Sequence, residues 1–143
     1  MGRLYYWTMT PFPSKDMAIT TILVVEDLAA AKRFYLDVLG AELYGEYDGT
    51  SIVLQFLGTW LLLVSGGPPT PDKPTVTFSP PSSPDDVSHA FTIRVADCLG
   101  CFETLSSRGA TFLTPPRESD GGTEVRAFFR DPDGHLFEIS QVR

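Results

Sequence analysis

Two stretches of the chain repeat one succession of hydrophobic and polar positions. Each predicts a strand, an aspartate, an amphipathic helix, a Gly-Ala pair and a further strand. The parts are Ile22–Val25, Asp27, 28–39 and Gly40-Ala41 in the first copy, and Ile93–Val95, Asp97, 98–108 and Gly109-Ala110 in the second. Asp27 and Gly40 are 13 positions apart, whereas Asp97 and Gly109 are 12 apart, so one gap aligns the copies.

Capping chemistry supports these helices, and each copy continues into two more strands. An aspartate before a helix accepts hydrogen bonds from its first free N–H groups, and glycine after it permits the left-handed turn that ends it. The later strand pairs are 51–57 with 60–64, and 124–130 with 135–141. Asp131-Pro132-Asp133-Gly134 joins the second pair in a turn-forming sequence. The pattern predicts an α+β fold built from two tandem βαβββ modules.

A proline-rich segment separates the two modules. Residues 66–88 contain seven prolines, which excludes a helix or a central strand there. The segment is either a spacer or a lid over a site, and the pattern allows a short strand at 75–78. We therefore expect an N-terminal extension at 1–17 and a single domain at 18–143. Within that domain, module one covers about 18–65, the linker 66–88 and module two 89–143.

Composition and charge restrict the class of protein. The chain is 43% hydrophobic and 20% charged, which is typical of a soluble globular domain, and its net charge of −7 argues against a nucleic-acid partner. No apolar run approaches the roughly 20 residues of a membrane span, and Met1–Asp16 does not have the form of a signal peptide. We expect a cytoplasmic protein. Cys98 and Cys101 form a lone CxxC, which we interpret as two small residues in a helical turn.

Three motifs resemble those of the vicinal oxygen chelate superfamily, the group of glyoxalases, bleomycin-resistance proteins and extradiol dioxygenases. The motifs are Val25-Glu26-Asp27-Leu28, Phe34-Tyr35-Leu36-Asp37-Val38-Leu39-Gly40 and Asp131-Pro132-Asp133-Gly134-His135-Leu136-Phe137-Glu138. The resemblance implies a curved mixed sheet around a cup-shaped cleft, and pairing into a homodimer. In metal-using members, four side chains facing the cup hold a metal that chelates two adjacent oxygens of the substrate. The fold alone does not identify the chemistry, because it hosts many activities.

The resemblance also gives the four positions that ligate the metal. They correspond here to Thr20, Leu62, Ala90 and Glu138, of which only Glu138 is a metal-binding residue type. His89 is adjacent to one position, but its parity with Phe91 directs it away from the cup. His135 shares parity with Phe137 and is interpreted as a turn residue. We therefore expect no metal and no other cofactor, with a divalent metal as the alternative.

Strand alternation predicts which side chains line the cup. The candidate ligand-binding residues are Thr20, Trp60, Leu62, Ala90, Thr92, Arg94, Glu138 and Ser140. They form a mostly apolar surface with a few polar groups, as small-molecule sites do. Arg94 and Glu138 are either anchors for charged ligand groups or partners of each other.

Three functions follow from this site. The first is metal-independent binding or sequestration of an organic small molecule, by a homodimer with neither a nucleic-acid nor a membrane partner. The second is a metal-dependent lyase, isomerase, epimerase or dioxygenase of the same superfamily. The third is a metal-free enzyme in which Glu138 is the catalytic base and Arg94 stabilises an oxyanion.

Overall fold

The computed structural model describes residues 9–143, so the first eight residues of the expected N-terminal extension lie outside the described part. Among the described residues, no helix is long and apolar enough to cross a membrane. The elements in chain order are β1 (Thr20–Val25), α1 (Leu28–Arg33), a π-helical turn (Phe34–Val38), β2 (Glu42–Tyr47), β3 (Ser51–Phe56), β4 (Thr59–Ser65), β5 (Phe91–Arg94), α2 (Cys98–Ser107), β6 (Arg117–Glu118), β7 (Glu124–Arg130) and β8 (Leu136–Val142).

The strands form two four-stranded mixed sheets with the same topology. Sheet one has the order β1-β4-β3-β2 and sheet two the order β5-β8-β7-β6. In each sheet the first strand of the module pairs in parallel with the last, and the remaining pairs are antiparallel. The prediction of an α+β fold with tandem βαβββ modules is confirmed.

Both helices begin and end as the capping residues predict. Asp27 Oδ1 accepts hydrogen bonds from the backbone N of Ala29 and Ala30 at 3.0 and 3.2 Å, and Asp97 Oδ1 accepts one from Gly100 at 3.0 Å. Gly40 and Gly109 follow the helices with φ of 75° and 109°, values that glycine adopts without strain.

The π-helical turn accommodates the extra residue of the first module. Its hydrogen bond from Leu39 N to Phe34 O, at 3.2 Å, spans five residues instead of four. In the second module no π-helical turn follows α2, which ends at Ser107. The difference in length between the copies is thus confined to the end of one helix.

Two stretches where the sequence favoured or allowed a strand form only short pieces of β-structure. The strand expected directly after Gly109-Ala110 is represented only by a bridge between Phe112 and Phe129 and by the two-residue β6. Pro115 and Pro116 lie between these pieces, and proline donates no ladder hydrogen bond. In the linker, the strand allowed at 75–78 is limited to a bridge between Phe78 and Gly67, because Pro74 and Pro80 flank it closely.

One hydrophobic core is shared by the two modules. Leu23, Leu61 and Leu63 of sheet one are buried in it, as are Phe129 and Phe137 of sheet two. Aromatic rings connect the halves: the ring centroids of Phe34 and Phe129 are 6.5 Å apart, and those of Tyr35 and Phe137 are 6.1 Å apart. The faces opposite this core carry the residues that alternation assigned to the cup.

The turn between β7 and β8 fastens module two to module one. We call its residues Asp131, Asp133 and His135 the turn clamp. Asp131 Oδ2 accepts a 2.7 Å hydrogen bond from the Tyr35 hydroxyl, Asp133 Oδ1 accepts one from Glu26 N at 2.7 Å, and His135 Nε2 lies 2.8 Å from Val24 O. Since Val24 O can only accept, His135 Nε2 carries a proton in this contact. His135 is buried in the turn, where the sequence placed it.

The corresponding turn of module one is much shorter. Leu57 and Gly58 connect β3 to β4 with φ of 50° and 77°, the geometry of a two-residue hairpin turn. Leu57 is 71% exposed and this turn has no polar side chain to clamp module two. The two modules are therefore fastened by polar groups at one of two equivalent positions.

Replacing Tyr35 by phenylalanine tests the turn clamp. The change leaves Asp131 Oδ2 buried without its donor, so we expect the free energy of unfolding to fall by about 1–3 kcal/mol in urea denaturation. Tyr47→Phe removes a hydroxyl from an exposed ring and is the matched control, with little expected effect. Equal stability of the two variants would contradict a stabilising role for the Tyr35–Asp131 hydrogen bond.

Candidate functional site

Glu138 lies at the centre of a polar surface on sheet two. Its side chain is 11% exposed, and Oε1 accepts a 2.9 Å hydrogen bond from the Thr92 hydroxyl, its direct neighbour in the β5–β8 pairing. Oε2 lies 3.9 Å from Arg126 Nε, which is beyond hydrogen-bond distance. This oxygen therefore retains capacity to accept a hydrogen bond.

A second carboxylate organises the neighbouring row. Glu124 Oε1 accepts hydrogen bonds from Arg94 Nη1 at 3.0 Å and from the Ser140 hydroxyl at 3.1 Å. These two donors hold the pKa of the Glu124 carboxyl below its ordinary value, with the Arg94 hydrogen bond as the largest cause. The alternative in which Arg94 pairs with Glu138 is wrong: Arg94 pairs with Glu124, and the cation nearest to Glu138 is Arg126.

Glu124 and Arg126 were missing from the residues chosen by sequence. Both lie on β7, which pairs with β8 so that Arg126 is opposite Ser140 and Phe128 is opposite Glu138. Alternation along β7, counted from this pairing, places Glu124, Arg126 and Phe128 on the face of Glu138. The hairpin predicted around Asp131-Pro132-Asp133-Gly134 already contained that signal.

The candidates from module one lie on a separate and mostly apolar surface. Thr20 is exposed and is opposite Trp60 in the β1–β4 pairing, and the Trp60 ring contacts Tyr44 edge-on at 4.9 Å. Leu62 is half-buried two positions further along. Among residues 9–143, no hydrogen bond joins Thr20, Trp60 or Leu62 to the group around Glu138. Ala90 is exposed immediately before β5.

The residues present do not fit a metal ion at the four positions that the family resemblance gives. Thr20, Leu62 and Ala90 bring no imidazole, thiolate or carboxylate, and one Glu138 oxygen already accepts from Thr92. Within the described part of the chain, no group of three or more His, Cys, Asp or Glu side chains is arranged to hold a metal. The His89 ring packs edge-on against the Phe91 ring, with the ring centroids 6.2 Å apart. His89 therefore does not share the face of Thr92 and Glu138.

The CxxC pair lies in the first turn of α2. Cys98 is buried at the first position of α2 and Cys101 is half-buried, both as free thiols. Burial raises the pKa of the Cys98 thiol, which disfavours the thiolate that redox chemistry requires.

Comparisons with known proteins agree with this architecture. The family model described as "Glyoxalase/Bleomycin resistance protein/Dioxygenase superfamily" matches residues 18–139. A protein of Vibrio cholerae named "Probable lactoylglutathione lyase" is 27% identical over 133 residues, covering 90% of this chain and 92% of that protein. A Synechocystis protein of the same name is 26% identical over 127 residues, with 85% and 92% covered.

Solved structures share the fold at lower identity. A glyoxalase/bleomycin resistance protein/dioxygenase from Nocardioides superposes with a TM-score of 0.72 at 22% identity, covering 99% of this chain and 92% of that one. The fosfomycin resistance protein FosX from Listeria monocytogenes, in complex with Mn(II) and sulfate ion, gives 0.67 at 17% identity, with 91% and 93% covered. The chain therefore belongs to the glyoxalase/bleomycin resistance protein/dioxygenase superfamily, and the resemblance found in its sequence is confirmed.

The pKa of Glu124 provides a test of the polar surface. We expect Arg94→Ala to raise this pKa toward the ordinary glutamate value, because the variant removes the strongest donor to the carboxylate. Carbon-detected NMR titration of the side-chain carboxyl measures it. Arg143→Ala, which breaks the exposed pair with Glu118, should leave the pKa of Glu124 unchanged. An unchanged pKa in Arg94→Ala would show that the arginine is not the main cause.

Proposed function

We propose that this protein binds a small organic molecule without a metal ion, on the cup face of sheet two around Glu138. The hydrogen bonding of the Glu138 carboxylate supports this proposal. One oxygen accepts from Thr92 while the other, beside Arg126, retains acceptor capacity, and the three companion ligand positions offer no imidazole, thiolate or carboxylate. A buried carboxylate with one open acceptor suits a ligand N–H or O–H group.

The surroundings of Glu138 add an apolar contact surface. Phe128 is opposite Glu138 on β7, and the Arg126 guanidinium lies 5.7 Å from the Phe128 ring centroid. The guanidinium lies over the ring, so the two side chains together form a flat surface next to the hydrogen-bonding oxygen. A molecule held by this hydrogen bond and aromatic contact would be either sequestered or positioned for a reaction.

A homodimer would complete the site. The cup face of sheet one is apolar and partly open along β4, where Trp60, Leu62 and Val64 are half-buried. Covering this surface with sheet two of a second chain would remove apolar area from water and bring Trp60 opposite the polar surface.

A metal-dependent reaction is the second candidate. Two relatives that are 26–27% identical and cover most of the chain are named "Probable lactoylglutathione lyase", and it is this name that favours an enzyme. This function requires ligands other than Thr20, Leu62 and Ala90. A metal-free reaction with Glu138 as base is a variant of the first proposal, with Arg126 closer to the carboxylate than Arg94.

Ligand screening with Glu138→Gln tests the binding proposal. Small molecules that raise the melting temperature of the wild-type protein are titrated by calorimetry against both forms. We expect Glu138→Gln to weaken at least one hit about tenfold, since it removes a charge-assisted acceptor. Glu118→Gln, at an exposed position paired with Arg143, is the matched control and should bind normally.

The same preparations distinguish the alternatives. About one Ni, Zn, Fe or Mn ion per chain, lost in Glu138→Gln, would contradict metal-independent binding and favour the lyase or dioxygenase. Consumption of a hit by the wild-type protein but not by Glu138→Gln, without metal, would favour the metal-free enzyme.

Sedimentation velocity tests the homodimer. We expect the wild-type protein to sediment as a dimer and Leu62→Asp to sediment as a monomer, because the aspartate would place a charge in the apolar interface. Leu99→Asp makes the same change at a 56% exposed position on α2, away from the cup face, and should leave the dimer intact. A wild-type monomer at high protein concentration would contradict the proposed assembly.

A further inference from the structure

The second half of the linker is an anchored segment that passes over the junction of the modules. We call residues 79–88 the strap. The Arg130 guanidinium donates hydrogen bonds to Pro84 O and, at 2.9 Å, to Asp85 Oδ1. Gly134 of the β7–β8 turn is so close that a Cβ there would lie 3.3 Å from Pro84 Cβ. Pro80, Pro81 and Pro84 further restrict the strap backbone.

A cavity of about 470 Å³ lies beneath the strap. Its floor consists of Ile22 and Val24 from β1 and Leu136 from β8, so both modules contribute to it. His135 of the turn clamp and His89 form part of the wall, and the strap supplies the roof. The volume is within the range of small-molecule sites.

The lining combines an apolar floor with a polar roof. Ile22, Val24 and Leu136 suit a ring or an aliphatic body, and the serine hydroxyls of the strap provide donors and acceptors at the Ser79, Ser82, Ser83 and Ser88 positions. Mixed linings of this type bind molecules with an apolar body and one polar end.

The charge of the cavity lining determines which polar group of a ligand is favoured. Asp86 is its only carboxylate, and no ion pair is formed by Asp86 among the described residues. The nearby cation Arg130 is occupied by Pro84 and Asp85. An anionic ligand would meet Asp86 without a counter-charge, whereas an ammonium group would neutralise it.

We propose that the cavity beneath the strap binds an organic amine, with its apolar body on Ile22, Val24 and Leu136 and its ammonium group at Asp86. The cavity adjoins the surface around Glu138 but does not include Glu138 in its lining. Leu136 and Glu138 are two positions apart on β8, about 7 Å along the strand. The proposal does not depend on the function proposed for Glu138.

Three fluorescent probes with one ring system test the charge preference. Dansylcadaverine ends in an ammonium group, dansyl pentylamide is uncharged and dansylglycine is an anion. Fluorescence titration of the full chain should give the order dansylcadaverine, dansyl pentylamide, dansylglycine, from tightest to weakest. Asp86→Asn should weaken dansylcadaverine about threefold, as expected for an exposed ion pair, and leave dansyl pentylamide unchanged.

Two further variants test the position of the bound probe. Ile22→Trp fills the floor and should abolish binding of dansylcadaverine and dansyl pentylamide alike. Arg130→Ala releases the strap and should weaken both, whereas Arg143→Ala, which also breaks an arginine pair on the surface, should weaken neither.

The proposal would be overturned if dansylcadaverine did not bind, or if Ile22→Trp left its binding unchanged. So would equal affinity for dansylcadaverine and dansylglycine. Sensitivity to Glu138→Gln with insensitivity to Asp86→Asn would assign the probe to the cup face of sheet two instead. Failure of the Glu138 ligand screen, by contrast, would leave the expected results for these probes unchanged.

Discussion

The Asp131 carboxylate is buried between the two modules, and a buried carboxylate is stable only when several donors surround it. Asp131 is 5% exposed, and burial raises its pKa while its hydrogen-bond donors act in the opposite direction. The donors are the Tyr35 hydroxyl of module one and the backbone N of Asp133 and His135. The two backbone donors belong to the β7–β8 turn itself and bind Oδ1, whereas Oδ2 receives its donor only when the π-helical turn of module one docks on this turn. This requirement fixes how the modules meet, and with it the neighbourhood of β1 and β8.

Local chemistry made most of the elements predictable. Strand alternation, the aspartate caps at 27 and 97 and the glycines at 40 and 109 each act within a few residues, so the sequence contains them in full. The reduced strand after Gly109 is an instructive exception. Apolar residues favoured a strand there, but Pro115 and Pro116 removed ladder donors, and the backbone donors decided the outcome.

The candidate site was less predictable because its contacts join distant parts of the chain. Glu138 was found from a local motif and strand parity placed Thr92 on the cup face, but only the β5–β8 register brings the two side by side. Arg94 pairs with Glu124, which is 30 positions further along the chain, on β7. The carboxylate that reaches Arg94 depends on how β5, β8 and β7 align in the sheet. The Tyr35–Asp131 bond and the strap cavity depend on how whole modules pack, which no local pattern encodes.

The π-helical turn has a consequence for how the two copies could diverge. One residue added to an α-helix rotates all later positions by about 100°, which would turn the core side chains toward solvent. Here the added residue widens a single turn, and Gly40 still begins the connection to β2 as Gly109 does after α2. The same turn holds Tyr35, the partner of Asp131. The extra residue that distinguishes module one from module two therefore lies in the same turn that binds the two modules together.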